Sequence, residues 1–411
     1  MHHSIPHTIC LQDGSACNLN RRLTKHQFSL VSLLVAGVTD PRSGLGTRHP
    51  LVLIILIGFI GMLAGCTDLT DACLYAQYNQ RLFEKLLHTT LVHGIPHPTT
   101  ISRVFQQLNP DELVTVWVQF LQLLGIPLGE VYSFDGKTMR AVSGTATIRH
   151  ILSLFSHDTH LALGQVGVSS KENEIPALER LLTQSTGLGL IAGSLLLGDA
   201  LHTQKATVEM IIRYQADYLF TVKNNQRKLK QAIQAELLKR QTIDPTSLST
   251  YTYTDRTRGR NITTTVTLVS VTDEGEELLP TLTGSNHWDG VQTMGVLHRT
   301  GTRMSKDGTV HQIDETIGFI ASRRLTAQEV AEHLHHHWCI ENNLHWVKDE
   351  VFGEDKHTLK KGKAPQVMSW LRSMVISLCN GLKLTSISTT IHHLQKSPVL
   401  MGRFLSMAAI V

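Results

Sequence analysis

The run from Leu51 to Gly65 carries no charged side chain. Unbroken apolarity of this kind predicts a helix buried on all sides rather than an amphipathic one. It stops before Asp68, short of the about 18–20 residues that a bilayer span needs, so the expectation is a core helix and no membrane segment. Around it, from 46 to 125, apolar runs at helical spacing alternate with capping signals. Asn109-Pro110-Asp111-Glu112 puts a proline at the first helical position and acids in the first turn. Gly94-Ile95-Pro96 and His97-Pro98-Thr99-Thr100 punctuate the turn before it. The pattern predicts an all-helical N-terminal domain over 46–125, ending near Gly125-Ile126-Pro127. A leader over 1–45, with one short amphipathic helix near His26 to Ala36, precedes it.

From 130 the period changes to two. Tyr132 to Arg140, His150 to His157 and His160 to Val168 read as three successive strands, the last two joined by a tight Asp158-Thr159 link. A helix over Pro176 to Thr186 follows, then a buried strand, Leu195 to Gly198. A helix over Thr203 to Gln215, a strand at Tyr218 to Val222 and a charged helix from Gln226 to Arg240 complete the series. Three strands followed by alternating helix and strand predict an α/β fold with a mixed sheet and helices on both faces, which is the ribonuclease-H-like order. Between about 245 and 322 the chain turns β-rich, at Thr250–Tyr253, Ile262–Thr272, Gln292–Thr302 and Thr309–Ala321. These segments read as a β subdomain inserted into a catalytic domain over 126–411. A capping box, Thr326-Ala327-Gln328-Glu329, reopens helical spacing that runs to Val351, and a last helix covers Ala364 to Leu382.

Composition narrows the class. With 411 residues, 42% of them hydrophobic and 18% charged, the chain is long enough for two or three domains and is not disordered. A net charge of +4 permits a nucleic-acid partner without requiring one. Six cysteines form no C-x-x-C pair and read as thiols of a reducing cytoplasm. The start, Met1-His2-His3-Ser4-Ile5-Pro6, lacks the order of a secretory signal, so the expected location is cytoplasmic. Gly187-Leu188-Gly189-Leu190-Ile191-Ala192-Gly193 imitates a dinucleotide fingerprint, but it precedes a strand and its spacing is one residue too long; it reads as a loop.

Three acids stand where structure begins or turns: Asp135 after Val131-Tyr132-Ser133-Phe134, Asp199 after Leu195-Leu196-Leu197-Gly198, and Glu341 after Trp338-Cys339-Ile340. Strand residues lead into Asp135, and Gly136 lets another backbone come close. Lone acids at strand ends are commonplace caps. Three brought together would suit a pair of divalent cations that activate a water and stabilise the leaving oxygen of a phosphodiester. At about 100° per residue, His337, Glu341, His345 and Lys348 share one helix face. That stripe is either an ordinary salt bridge or a metal ligand beside a phosphate-gripping cation, and the apolar Trp338, Ile340, Leu344 and Val347 favour the second. His333 and His337 have the spacing of a helical zinc pair, a weaker alternative. Basic runs cluster near the acids: Lys223, Arg227, Lys228 and Lys230; Arg256, Arg258 and Arg260; Lys356, Lys360, Lys361 and Lys363. Together they suggest a track for a phosphate backbone.

In this order the motifs resemble the DDE transposases of bacterial insertion sequences, in the subfamily that includes the H-repeat-associated proteins. Asp135-Gly136-Lys137-Thr138 is similar to the first-acid motif, Lys171-Glu172-Asn173-Glu174-Ile175 to the start of a following helix, and Gly198-Asp199-Ala200 with Thr203-Gln204-Lys205 to the second-acid motif. Lys223-Asn224-Asn225-Gln226 matches a further stretch. His337-Trp338-Cys339-Ile340-Glu341-Asn342 with Leu344-His345-Trp346-Val347 resembles the third. The resemblance implies a ribonuclease-H-like core in which Asp135, Asp199 and Glu341 hold two Mg²⁺ ions, with Mn²⁺ as a substitute. It implies cleavage at element ends to free a 3′ hydroxyl that attacks target DNA, and a homodimer on those ends. Lys137, Arg140, Lys223, Asn225, Gln226, Arg258, Arg260, His337 and Lys348 are then expected to contact double-stranded DNA. Related elements carry tyrosine and arginine where Leu334 and His337 stand here, which leaves the acids intact and alters the phosphate-gripping side of the helix. Trp288 lies in the β-rich segment, where related elements stack an aromatic residue on a flipped base; a core tryptophan is the stronger reading. The rival functions are a metal-dependent nuclease that cuts without joining and a remnant that only binds DNA.

Overall fold

The computed structural model describes residues 8–10, 16–18, 29–44, 47–140, 148–169, 174–257, 259–271, 287–305, 307–337, 339–356 and 359–410. Two short antiparallel strands, β1 (Thr8–Cys10) and β2 (Ala16–Asn18), come first. The helices α1 (Leu30–Gly37), α2 (Leu51–Leu63), α3 (Leu69–Tyr78), α4 (Gln80–Leu87), α5 (Pro98–Gln107) and α6 (Pro110–Leu123) follow. Next come β3 (Val131–Thr138), β4 (Ile148–Ser156), β5 (Ala162–Ser169), α7 (Glu174–Gly187), β6 (Leu195–Gly198), α8 (Lys205–Arg213), β7 (Asp217–Val222) and α9 (Arg227–Ile243). The strands β8 (Ser249–Asp255), β9 (Arg260–Ser270), β10 (Thr293–Met304) and β11 (Val310–Ala321) precede α10 (Ala327–His336). A π-helical turn (Glu341–His345), α11 (Trp346–Glu350), α12 (Ala364–Gly381), α13 (Ile387–Gln395) and α14 (Pro398–Met407) end the chain.

The elements fall into two compact units, one of residues 1–129, 136–188 and 339–411, the other of residues 130–135 and 189–338. In the first, α2 is buried from Val52 through Leu63, as its uniform apolarity predicts, and no helix among the described residues is long and apolar enough to cross a membrane. Asp68 caps α3 by accepting from the Thr70 and Asp71 N–H groups, and Asn109 caps α6 with Pro110 behind it. The helix α12 is buried through Cys379 and packs on α2, α5, α6 and β5. Gly58 of α2 meets it closely, since a Cβ there would come within 3.1 Å of Leu371. Strands run in the order β5-β4-β3, the last contributing Gly136–Thr138.

The second unit continues from Val131–Asp135 of β3 in the order β3-β6-β7-β11-β10-β9-β8. Pairing is parallel from β3 to β6 to β7 and antiparallel beyond. This mixed sheet is the ribonuclease-H-like arrangement expected. Strand alternation puts Leu195, Leu197, Leu219, Phe319 and Ala321 on one face, where Ala327, Val330 and Ala331 of α10 cover them. The opposite face receives α9, whose Ile233 lies beside Gly318. Helices thus cover both faces.

Three expectations change. The β-rich segment is not set apart from the sheet: Gly318–Ala321 of β11 pairs with Leu219–Val222 of β7, satisfying backbone groups that an edge strand would leave exposed. The helical spacing from 326 to 351 is interrupted, because α10 ends at His336 and a π turn occupies Glu341–His345. Beyond the predicted last helix stand α13 and α14, capped by Ser386 and Ser397. The expected leader helix is α1, which starts at the Ser29 capping box; the portion predicted from His26 lies outside the described residues, as do Arg258, Trp338 and Lys171 to Asn173.

Candidate active site

Within the second unit, Ser133 of β3 is the register partner of Leu197 of β6. Two residues further on, Asp135 projects from β3 to the same face as Ser133, and Asp199 follows directly on the end of β6. That face is the one α10 covers. Asp135 is half-buried and Asp199 exposed. One Asp199 oxygen caps the short turn Ala200–His202 by accepting the Leu201 N–H at 2.9 Å. Gly198 is required before it, because a Cβ would lie 2.7 Å from the Phe134 ring. His202 is buried with its ring edge-on to Phe134 at 4.7 Å.

His337, just past α10, reaches this face. Its Nδ1 is 2.8 Å from the Ser133 Oγ. Burial lowers its pKa below the ordinary histidine value, while the charges of Asp135 and Asp199 pull the other way. The histidine therefore lies within electrostatic reach of both acids. Lys223 is exposed nearby. Asn225, which is exposed, and Gln226, which is half-buried, each commit their amide nitrogen to the protein. The Asn225 amide donates to the Ala200 carbonyl and the Gln226 amide to the Thr203 carbonyl at 2.9 Å, so both brace the turn that follows Asp199. Trp288 is buried, with the Lys205 Nζ 6.0 Å from its ring: a core tryptophan, not a stacking surface. Arg260 stands 4.0 Å from the Asp255 carboxylate.

The first unit holds Glu341, exposed at the head of the π turn. The predicted stripe does not survive that turn. A π turn advances each residue by less than an α-helix does, and His345 and Lys348 are 8% and 1% exposed while Glu341 faces out. The Lys348 ammonium lies 3.1 Å from the Ser369 Oγ and beside Glu354, so it is engaged within the protein rather than offered to a phosphate. Lys137 is also drawn inward, to Asp349 and, at 3.5 Å, to Glu354. Arg372 reaches Glu354 at 3.4 Å. Arg140 is exposed, 3.6 Å from Asp355. Gly136 makes room for a side chain, not a backbone: a Cβ would collide with His150, whose Nε2 is 2.6 Å from Glu174.

Burial alone would raise the Glu354 carboxyl, but Lys348, Arg372 and Lys137 outweigh it and bring it down to about 2. Burial pushes Lys348 down to about 8, against the pull of Glu354. Glu354, Asp349 and Arg372 were missed by sequence reasoning. The signal was present, since an arginine amid Trp370-Leu371 and Met374-Val375 has to find a buried partner. Ser133 was missed too, and nothing in its sequence context marks it.

The donor chemistry of Asp135 and Asp199 suits a hard divalent cation: carboxylate oxygens on one face, at strand ends, with room for water on the exposed side. Among the described residues no group of three or more His, Cys, Asp or Glu side chains is gathered as a metal cage. The zinc arrangement is among those not formed. Asp135 and Asp199 belong to one unit and Glu341 to the other.

The transposase DDE domain model matches residues 127–378, and a second, described as DDE_Tnp_1-associated, matches 34–121. Two proteins of Escherichia coli (strain K12), named "H repeat-associated putative transposase YhhI" and "Putative protein YbfL", are each 26% identical over 351 residues, covering 84% of this chain and 89% of theirs. A piggyBac transposase synaptic complex with hairpin DNA aligns with a TM-score of 0.45 at 11% identity, over 92% of this chain and 78% of that one. With more than half of its length matched, the chain belongs to the transposase DDE domain family.

Proposed function

We propose that this chain moves its own insertion sequence, cutting DNA at the element ends and transferring the freed 3′ hydroxyls into target DNA. The observation that carries the reading is that Asp135 of β3 and Asp199, just past the end of the adjacent parallel β6, both lie within electrostatic reach of His337. Like charges brought near one another are favoured when a cation lies between them. Asp135, Asp199 and Glu341 would hold Mg²⁺ or Mn²⁺, which when bound supplies a polarised nucleophile and charge stabilisation at the leaving oxygen.

The chain's own residues do the positioning. Ser133 orients His337, and Asn225 and Gln226 hold the turn after Asp199. Exposed Lys223 and Arg140 meet the phosphate backbone, and the helical segment over 46–125 reads the ends. The reading places the protein in the cytoplasm as a homodimer on double-stranded ends.

The test is Mg²⁺-dependent nicking of DNA carrying the terminal inverted repeats that flank the gene. Asp135→Asn and Asp199→Asn should each lower the rate at least about a thousandfold, and should also abolish the rise in unfolding temperature that Mg²⁺ gives the native protein. Undiminished nicking by both variants removes the proposed metal site. Joined products in a target plasmid separate transposition from simple nuclease action.

A further inference from the structure

The outermost strands of the two units differ in what lies beyond them. In the first unit β5 finds hydrogen-bond partners outside the sheet: the Ala162 N–H donates to the Ser377 Oγ at 2.8 Å, and the Arg180 guanidinium donates to the Gly167 carbonyl at 2.8 Å. In the second unit the outermost strand is β8, in unbroken register with β9 from Ser249 opposite Leu268 to Asp255 opposite Ile262. Alternate residues of an edge strand turn their N–H and C=O groups away from the sheet. Among the described residues no hydrogen bond other than those of the β9 ladder reaches the β8 backbone. Edges of this kind normally carry a lysine, a proline or a bulge that discourages pairing. Ser249 to Thr254 holds none of these and no charge.

We propose that β8 is the seat of a two-fold contact between copies of this chain, strand against strand and antiparallel. Thr250-Tyr251-Thr252-Tyr253-Thr254 reads the same in both directions. With Thr252 on the two-fold axis, Tyr251 falls opposite Tyr253 of the second copy, Thr250 opposite Thr254 and Asp255 opposite Ser249, so no charge meets its like. A closed symmetric dimer requires such a self-complementary patch, and the match is to this chain's own strand, which singles out a second copy. Aromatic pairs and threonine pairs both favour antiparallel strands. The threonine row is already begun, since Thr252 and Thr254 bond Thr265 and Thr263 of β9 at 3.1 and 3.0 Å. On the other face Tyr251 and Tyr253 line, with Ala331 and His335 of α10, a cavity of about 280 Å³, which the copy's tyrosines would close from the edge. The helix α10 packs on β8 and β9 alike. With strands about 4.8 Å apart, the two copies' α10 helices would stand about 10 Å apart, an ordinary packing distance. The contact would serve the homodimer of the proposed reading, but it stands on the strand and not on the acids.

The test is sedimentation equilibrium of the full chain, without DNA, over a range of protein concentrations. The native protein should associate as a dimer. Thr252→Lys sets an ammonium against its own copy on the axis and should raise the dissociation constant about tenfold or more. Its unfolding temperature should not change, because Thr252 is exposed. Cysteine variants check the register independently. Opposed residues of an antiparallel pair stand about 4.5–5.5 Å apart at Cα, within disulfide reach. Under mild oxidation Thr252→Cys should therefore cross-link to its copy, whereas Thr250→Cys, about 14 Å from its own counterpart, should not. Thr250→Cys mixed with Thr254→Cys should, and the native protein with its own cysteines is the control for each. If Thr252→Lys lowers the unfolding temperature, the cysteine variants decide. A native protein that stays monomeric, a dimer that Thr252→Lys leaves equally tight, or equal cross-linking by Thr252→Cys and Thr250→Cys overturns the proposal. So does a monomer whose edge takes some other extended strand. Nicking by Asp135→Asn bears on the metal site alone, so the two readings fail separately.

Discussion

Two polar clusters in this chain follow opposite electrostatic designs. On the sheet face of the second unit, Asp135 and Asp199 present like charges at adjacent strand ends, one of them exposed. In the first unit, Glu354, Lys348 and Arg372 are 3%, 1% and 2% exposed, and the carboxylate attracts both cations. The first cluster faces solvent at Asp199; the second is closed off from it. A charged residue near one of the three candidate acids in sequence therefore need not face solvent. Lys137 lies two residues from Asp135 and Lys348 seven from Glu341, yet both are absorbed into the internal cluster.

The largest effect is expected from breaking the internal cluster. Glu354→Ala leaves Lys348 and Arg372 buried without their carboxylate, and losing one partner of a buried pair costs about 3–5 kcal/mol. Urea denaturation should show that loss, and a change below about 1 kcal/mol would mean the cluster is solvated after all. Acid sharpens the point. The Glu354 carboxyl is held at about 2 in the folded chain against 4.5 ordinarily. A depressed carboxyl contributes stability that is complete above about 4.5 and is lost as pH falls toward 2. Lys348 titrates near 8, below its ordinary 10.5. Its burial therefore opposes folding below 8, and this penalty is relieved as pH rises toward 10.5. The stability gap between the native protein and Glu354→Gln should close as pH falls from 4.5 to 2. A gap undiminished at pH 2.5 would contradict the assignment.

Much of the fold is legible in period and punctuation. The uniform apolarity of α2, the proline start of α6 and the strand Leu195 to Gly198 all appear where the pattern puts them. Less legible is whatever depends on distant partners. No local pattern says that β11 pairs with β7, because its partner lies some hundred residues away. The π turn is equally hidden, since Glu341 to Lys348 keeps an acceptable α-helical spacing and only the burial of His345 and Lys348 shows the slip. Of the candidate site, the placing of Asp135 and Asp199 on adjacent parallel strands and just beyond could be anticipated from two apolar strand runs that each lead into an acid. The hydrogen bonds of Asn225 and Gln226 to the Ala200 and Thr203 carbonyls could not, because an amide that reads a phosphate and one that caps a carbonyl look alike in sequence.

A smaller effect separates the cations. Lys223→Ala should weaken binding to all duplexes alike and reduce the slope of log affinity against log salt by about 1. Lys348→Met should leave that slope unchanged, because its ammonium faces Ser369 and Glu354 rather than solvent. Equal slope changes for both would place Lys348 on DNA and dissolve the contrast between the clusters.

The smallest effect tests whether the acid pair is itself supported from within. Asn225 is exposed, yet its amide is committed to the Ala200 carbonyl, one residue past Asp199. Asn225→Ala removes one hydrogen bond at a solvated site, about 1 kcal/mol of stability at most, and little DNA affinity if the amide is not on the backbone. Because the turn it braces follows Asp199 directly, nicking should fall more than stability does, with binding of uncleaved ends unchanged. Asn225→Asp, which keeps the shape but replaces the donor with an acceptor facing a carbonyl, should fare worse than alanine. If alanine instead weakens binding and spares the rate, Asn225 belongs to the DNA surface after all.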